Sequence, residues 1–189
     1  VNLFQYRVYA VGEKIIKEDG QTDGLYVIAR GNVKVYKNHH LIDVLGKGSV
    51  IGEIATLTDT TRTATIIAES PVSVLRLTTL SMQQIIQDNE TLEDKLWDIA
   101  APRMAENIFN ALNPDHNLSH EAIQKWMEKG QIIHAKKIRN FDCQHQTAIL
   151  LKGKVIQEDN RELKDEGIIR NKRITLSRNT KLFVLPGDF

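Results

Sequence analysis

The chain has one cysteine, Cys143, so no internal disulfide can staple it, and such sparse thiol usage fits a reducing compartment. No run comes near the roughly 18 consecutive apolar residues that a membrane-crossing helix needs. Charge of either sign is not in excess: 25 Lys and Arg face 24 Asp and Glu, a formal net charge of +1. That balance lacks the basic surplus with which proteins neutralise a phosphate backbone, so nucleic acid is not an expected partner. Low-complexity tracts are missing too. Over 189 residues, 41% hydrophobic and 26% charged side chains describe a folded chain long enough for one large domain or two small ones. The start, Val1-Asn2-Leu3-Phe4, shows neither an initiator Met nor a signal-peptide pattern and reads as a stretch from inside a longer protein.

What is present is β punctuation. From Tyr9 to Leu77, short runs of Val, Ile, Leu and Tyr are broken at close intervals by Gly, Asn, Asp or Pro. Strands are expected at Lys14 to Lys17, Gly24 to Ala29, Asn32 to Lys37, Leu41 to Leu45, Thr63 to Glu69 and Val72 to Leu77. Six or more of them point to a sandwich, barrel or jelly roll. After Leu77 the apolar spacing changes to three and four, which predicts helices over Thr79 to Gln87 and Thr91 to Leu112. Thr91 is the expected cap of the second, Pro102 is expected to kink it, and Asn113-Pro114 ends it. A shorter helix runs from the Ser119 cap to Lys129, with Gly130 as a left-handed stop.

Strands return at Gln131 to Ala135, Thr147 to Leu151, Lys154 to Gln157, Gly167 to Ile169, Arg173 to Leu176 and Lys181 to Leu185. Ala148 to Val155 echoes Leu25 to Val33, and Lys181 to Leu185 echoes Val72 to Leu77. Two readings stand side by side: a degenerate internal repeat, or the likeness that any strand, glycine turn and strand would show.

The informative stretch is Ile51-Gly52-Glu53-Ile54-Ala55-Thr56-Leu57, followed by Arg62-Thr63-Ala64-Thr65. A single helical turn over Gly52 to Leu57 would aim free backbone N–H groups at an anion. Arg62 adds a planar, permanently charged fork suited to phosphate oxygens. Glu53 beside that cradle repels phosphate alone, but it suits a ligand that also offers hydroxyl donors, such as a ribose. An exposed Glu53–Arg62 salt bridge is the plain structural alternative.

These residues resemble the phosphate-binding cassette of the cyclic nucleotide-binding domain family, F-G-E-(aliphatic)-A followed after eight or nine residues by R-(T/A/S)-A. Ile51 departs from it, standing where an aromatic is usual. Gly12-Glu13, Leu25 to Ile28 before Gly31, and Gly46-Lys47-Gly48 supply the upstream frame. The resemblance implies a mainly β fold with helices: a jelly-roll-like β-roll with C-terminal helices, then a second small β-rich domain. The corresponding division is 1–113 (roll 8–77, helices 79–112), a linker helix over 114–130, and 131–189. It implies that Arg62 binds the cyclic phosphate, Glu53 the ribose 2′-hydroxyl, the amides of Ile54 and Ala55 the phosphate oxygens, and Thr63 the phosphate or base, with Gly52 and Ala64 completing the cassette. Thr63 suits cGMP as well as cAMP. Val35 and Leu45 face the base or are plain core. Arg103, on the apolar stripe of the long helix, meets the purine or snorkels over apolar surface.

No third ligand at a recognised spacing accompanies His39-His40 or His116 and His120, so no metal is expected, and no catalytic constellation emerges. A non-enzymatic chain without a resident cofactor, regulated by cAMP or cGMP, is the expectation. Lys136-Lys137 and Arg170 to Arg173 read as solvated basic runs. A bacterial activator would carry a helix-turn-helix after the long helix and a kinase regulatory subunit a second complete cassette, and the sequence shows neither. The alternative is the domain of another channel or kinase, or a nucleotide-free relic fold serving as an interaction or dimerisation scaffold. The run Thr91-Leu92-Glu93-Asp94-Lys95-Leu96-Trp97, with β structure after the helices, resembles the cytoplasmic tail of sperm-specific-type sodium/proton exchangers. That resemblance implies a dimeric membrane transporter gated by cyclic nucleotide, cAMP favoured, with these residues on the cytoplasmic side of the plasma membrane, in a flagellum.

Overall fold

A computed structural model describes residues 3–187; positions 1–2, which open the stretch read as internal, and 188–189 lie outside it. The chain divides into two compact units, the first ending at Leu96 and the second starting at Trp97.

In the first unit the strands are β1 (Phe4–Tyr9), β2 (Lys14–Ile16), β3 (Leu25–Arg30), β4 (Val33–Lys37), β5 (His40–Leu45), β6 (Val50–Ile51), β7 (Thr65–Ala68) and β8 (Val72–Leu77), with helix α1 (Glu53–Thr58) between β6 and β7. They form two antiparallel four-stranded sheets, β1-β8-β3-β6 and β2-β7-β4-β5. Alternation of side chains sends Val33 and Val35 of β4, and Ile66 and Ala68 of β7, inward. With Ile15, Ile16, Tyr26, Ile28, Ile51, Val72 and Val74 they build the core between the sheets. Each such aliphatic side chain contributes about 1.5–3 kcal/mol by leaving water. Val74→Asp on this fully buried position would break the roll. The β4–β5 turn is tight, with Asn38 and His39 both left-handed (φ 48° and 66°) as a two-residue hairpin of this twist demands.

Helices α2 (Thr79–Asp88), α3 (Glu90–Leu112) and α4 (His120–Met127) follow. The α2 start is fixed by Thr78, whose side chain accepts from Ser81 N–H. Helix α3 begins one residue earlier than expected, and Asn89 Oδ1, not Thr91, supplies the acceptor by taking the Thr91 N–H. It runs on through Pro102. Its buried face is Trp97, Ala100, Ala101, Met104, Ala105, Ile108 and Phe109, whereas Ile99 and Leu112, though also apolar, lie exposed. Gly130 is not left-handed: a Cβ there would meet the Phe183 ring at 2.2 Å, so close approach and not helix termination requires glycine.

The second unit carries β9 (Gln131–Ala135), β10 (Arg139–Asp142), β11 (Gln146–Lys152), β12 (Lys154–Gln157), β13 (Glu162–Lys164), β14 (Gly167–Arg170), β15 (Arg173–Leu176) and β16 (Thr180–Pro186). Its sheets are β9-β16-β11-β14 and β10-β15-β12-β13, the same order as the first unit strand for strand. The repeat is therefore real in topology, and its two echoes are β3–β4 with β11–β12 and β8 with β16. Leu150, Val155, Ile174, Leu176 and Leu182 fill the interior. Cys143 is buried among them, and burial, with Asp142 adding to it, pushes its thiol up to about 11, which leaves it protonated and unreactive. One difference stands out. Where residues 52–64 separate β6 from β7, only Asn171 and Lys172 separate β14 from β15.

Candidate functional site

The insert between β6 and β7 is held by three glycines and an arginine. Gly52 precedes α1 in a left-handed conformation (φ 76°), and a Cβ on it would lie 2.4 Å from Arg62 Nη1. The Arg62 backbone is tied down by its N–H to Gly20 O (2.9 Å) and by its own carbonyl, which accepts from Asp19 N–H at 2.9 Å. The guanidinium folds back over Gly52 and is 4% exposed. Nη1 donates to Gly52 O at 2.8 Å, and Nη2 donates to Asp23 Oδ1 at 2.7 Å and to Gly24 O at 2.6 Å. Gly24 brings its carbonyl there in a conformation (φ 130°) in which a Cβ would strike Leu77 O. Three of the five guanidinium N–H groups are thus committed, and the Nε–H and the second Nη1–H remain for an incoming acceptor.

Asp23 is shared. Its Oδ2 accepts from Arg76 Nη2 at 2.8 Å, and the Tyr26 hydroxyl donates to both oxygens at 2.9 and 3.1 Å. The Tyr26 ring lies 5.9 Å from the Arg62 guanidinium carbon. Burial first, then the Asp23 carboxylate, pushes the Tyr26 phenol up to about 12. Tyr9 is raised chiefly by burial. A buried arginine must have an anion near it, because a lone charge out of water costs several kcal/mol. Asp23, half exposed at its outer side, is that anion.

The cassette residues expected from the sequence lie as follows. Glu53, Ile54 and Ala55 form the first turn of α1 and are all buried, Glu53 at 2% exposure. Thr56 anchors that turn through its hydroxyl, which donates to Gly52 O at 2.8 Å and lies 3.1 Å from Thr22 Oγ1. Thr63 and Ala64 are half-buried at the entry to β7. Val35 is buried and Leu45 packs against the core from β5. Arg103 is half-buried on the part of α3 that belongs to the second unit. Among the described residues no cluster of His, Cys, Asp or Glu could hold a metal ion. Asp23, Tyr26 and Arg76 are functional partners that sequence reasoning missed. Their only signal is an acid placed just before Gly24 and a strand.

An eight-stranded roll with a loop-helix-loop insert, offering a buried arginine and glutamate at one end, is the frame of a ligand-sensing module. Residues 6–89 match the family model of the cyclic nucleotide-binding domain, and the first unit contains such a domain. The cGMP-dependent protein kinase of Plasmodium berghei (strain Anka) is 32% identical over 147 residues, 76% of this chain and 17% of the kinase. The chain thus spans 17% of that relative's length. Among solved structures, cAMP-bound PfPKA-R is similar with 22% identity and a TM-score of 0.46, covering 98% of this chain and 71% of that one. The regulatory domain of Toxoplasma gondii PKA with cAMP shows 13% identity and a TM-score of 0.45, covering 98% and 78%.

Proposed function

We propose that the chain is a regulatory region without catalytic chemistry of its own that binds one cyclic purine nucleotide, in the first unit. The carrying observation is the buried Arg62, fixed over Gly52 with two donors to spare and neutralised by a resident carboxylate. In this reading the cyclic phosphate takes those donors and the amides of Ile54 and Ala55. Glu53 accepts from the ribose 2′-hydroxyl, and Val35, Leu45 and Thr63 are candidates for the base. Binding biases a conformational equilibrium only by the difference in affinity between two states, and that difference is the regulatory output.

The parent is proposed to be a cyclic nucleotide-dependent protein kinase, because a 147-residue match is longer than either unit and so spans parts of both. The second roll has every strand but no cassette, the lack that counted against a kinase regulatory subunit on sequence grounds, and a kinase parent with one cassette-bearing roll in this stretch accommodates it. The second reading, the tail of a sodium/proton exchanger on the cytoplasmic face of a membrane and in a homodimer, rests on the run Thr91 to Trp97. The kinase reading brings cGMP and the exchanger reading cAMP. Calorimetric titration of both nucleotides into wild type and Arg62→Ala tests the proposal: the variant should lose about 2–5 kcal/mol of binding. Equal affinities for the two proteins would reject the site.

A further inference from the structure

We propose that the loop joining β9 to β10 is a docking tip for an anionic lipid bilayer, a site separate from the nucleotide cassette and independent of it. Lys136, Lys137, Ile138 and Arg139 follow one another there, all exposed. Ile138, at 73% exposure, is the most exposed large apolar side chain among the described residues. The turn between β15 and β16 closes on the same end of the roll: Asn179 N–H donates to Ala135 O at 2.7 Å, Thr180 pairs with Ala135, and Arg139 pairs with Leu176. Arg178 in that turn therefore adds a further exposed cation to the tip.

The tip cations Lys137, Arg139 and Arg178 make no ion pair among the described residues, whereas Lys154 has Glu162, Arg161 has Asp159 and Arg173 has Asp142. The corresponding β1–β2 loop of the first unit also exposes an aliphatic, Val11, but its neighbours are Ala10, Gly12 and Glu13, with no cation. The combination of apolar tip and flanking cations thus belongs to the second unit alone.

A side chain as exposed as Ile138 lies in no groove, so its occupant meets it as a surface. An apolar tip between cations fits the boundary of a negatively charged bilayer, where the aliphatic enters the acyl edge and the cations meet headgroup phosphates. An acidic protein segment would use the cations and leave the isoleucine in water.

Flotation of the full chain with vesicles of phosphatidylcholine alone, and of phosphatidylcholine with phosphatidylserine, tests this. Binding is expected only to the second kind and is lost at high salt. Lys137→Gln, Arg139→Gln and Arg178→Gln should each lower partitioning by roughly fivefold. Ile138→Asp should abolish it and Ile138→Trp strengthen it. Because all four positions are exposed, melting curves and nucleotide affinity should stay at wild-type values, which separates failure here from failure of the cassette assignment. Equal partitioning to neutral vesicles, or indifference to Ile138→Asp, overturns the proposal. So does capture by soluble polyglutamate without vesicle binding, which assigns the tip to an acidic protein.

Discussion

Asp23 and Arg62 stand 39 residues apart in the chain and 2.7 Å apart in space, and the carboxylate occupies the guanidinium that a phosphate would need. Arg62 is therefore already charge-compensated: the buried cation has an anion, and an anionic ligand must share or replace it.

Asp23→Asn should lower the stability of the first unit by about 1–3 kcal/mol, the range for a lost hydrogen bond to a charged group. Saturating cyclic nucleotide should then raise the melting temperature more in the variant than in wild type, since the phosphate restores the missing charge. A smaller rise in the variant would mean that Asp23 orients Arg62 for the ligand and does not stand in for it.

Glu53→Ala should cost less affinity than Arg62→Ala and erase the preference for a ribose over a 2′-deoxyribose nucleotide. Competition between the two sugars reads this directly, and a variant that still discriminates would remove Glu53 from the sugar.

One nucleotide should bind per chain. The two-residue link at Asn171 and Lys172 leaves the second roll no helical turn and no arginine comparable to Arg62. Calorimetric stoichiometry near two, or a second site that survives Arg62→Ala, would contradict the assignment to the first unit.

Alkali should destabilise the first unit. Tyrosine ionises near pH 10 in an unfolded chain, whereas the folded protein holds the Tyr26 proton up to about 12. Across that window the unfolded state has released a proton that the folded state keeps, so stability falls as pH rises, by roughly 2 kcal/mol in all. Denaturant unfolding at about pH 9 and about pH 11 should show a steeper loss in wild type than in Tyr26→Phe. Matching slopes would refute the buried phenol.

Much of this architecture is legible in residue order. Val72 to Leu77, Lys154 to Gln157 and Arg173 to Leu176 coincide with β8, β12 and β15, because their alternation and flanking turn residues are intact. Strand β1 escapes because Phe4, Tyr6 and Val8 face water and nothing before them marks a turn. Strands β6 and β13 are two and three residues long, too short for a period to appear, and β10, Arg139-Asn140-Phe141-Asp142, has a single apolar residue and so no alternation to read. The cassette is visible because its residues are local. Its counter-anion is not, because pairing Asp23 with Arg62 depends on the roll bringing the start of β3 beneath the end of the insert.

Helix α3 starts in one unit and finishes in the other, and the seam falls at Trp97, which is wholly enclosed. Severing the polypeptide there to produce the halves separately would divide one continuous helix between two pieces. It would also leave residues 90–96 as a stub too short to hold its shape in water. A cut beyond Leu112 spares the rod but opens the second unit instead, parting the Phe109 ring from Trp126, 5.4 Å away edge to face, and Glu106 from His120.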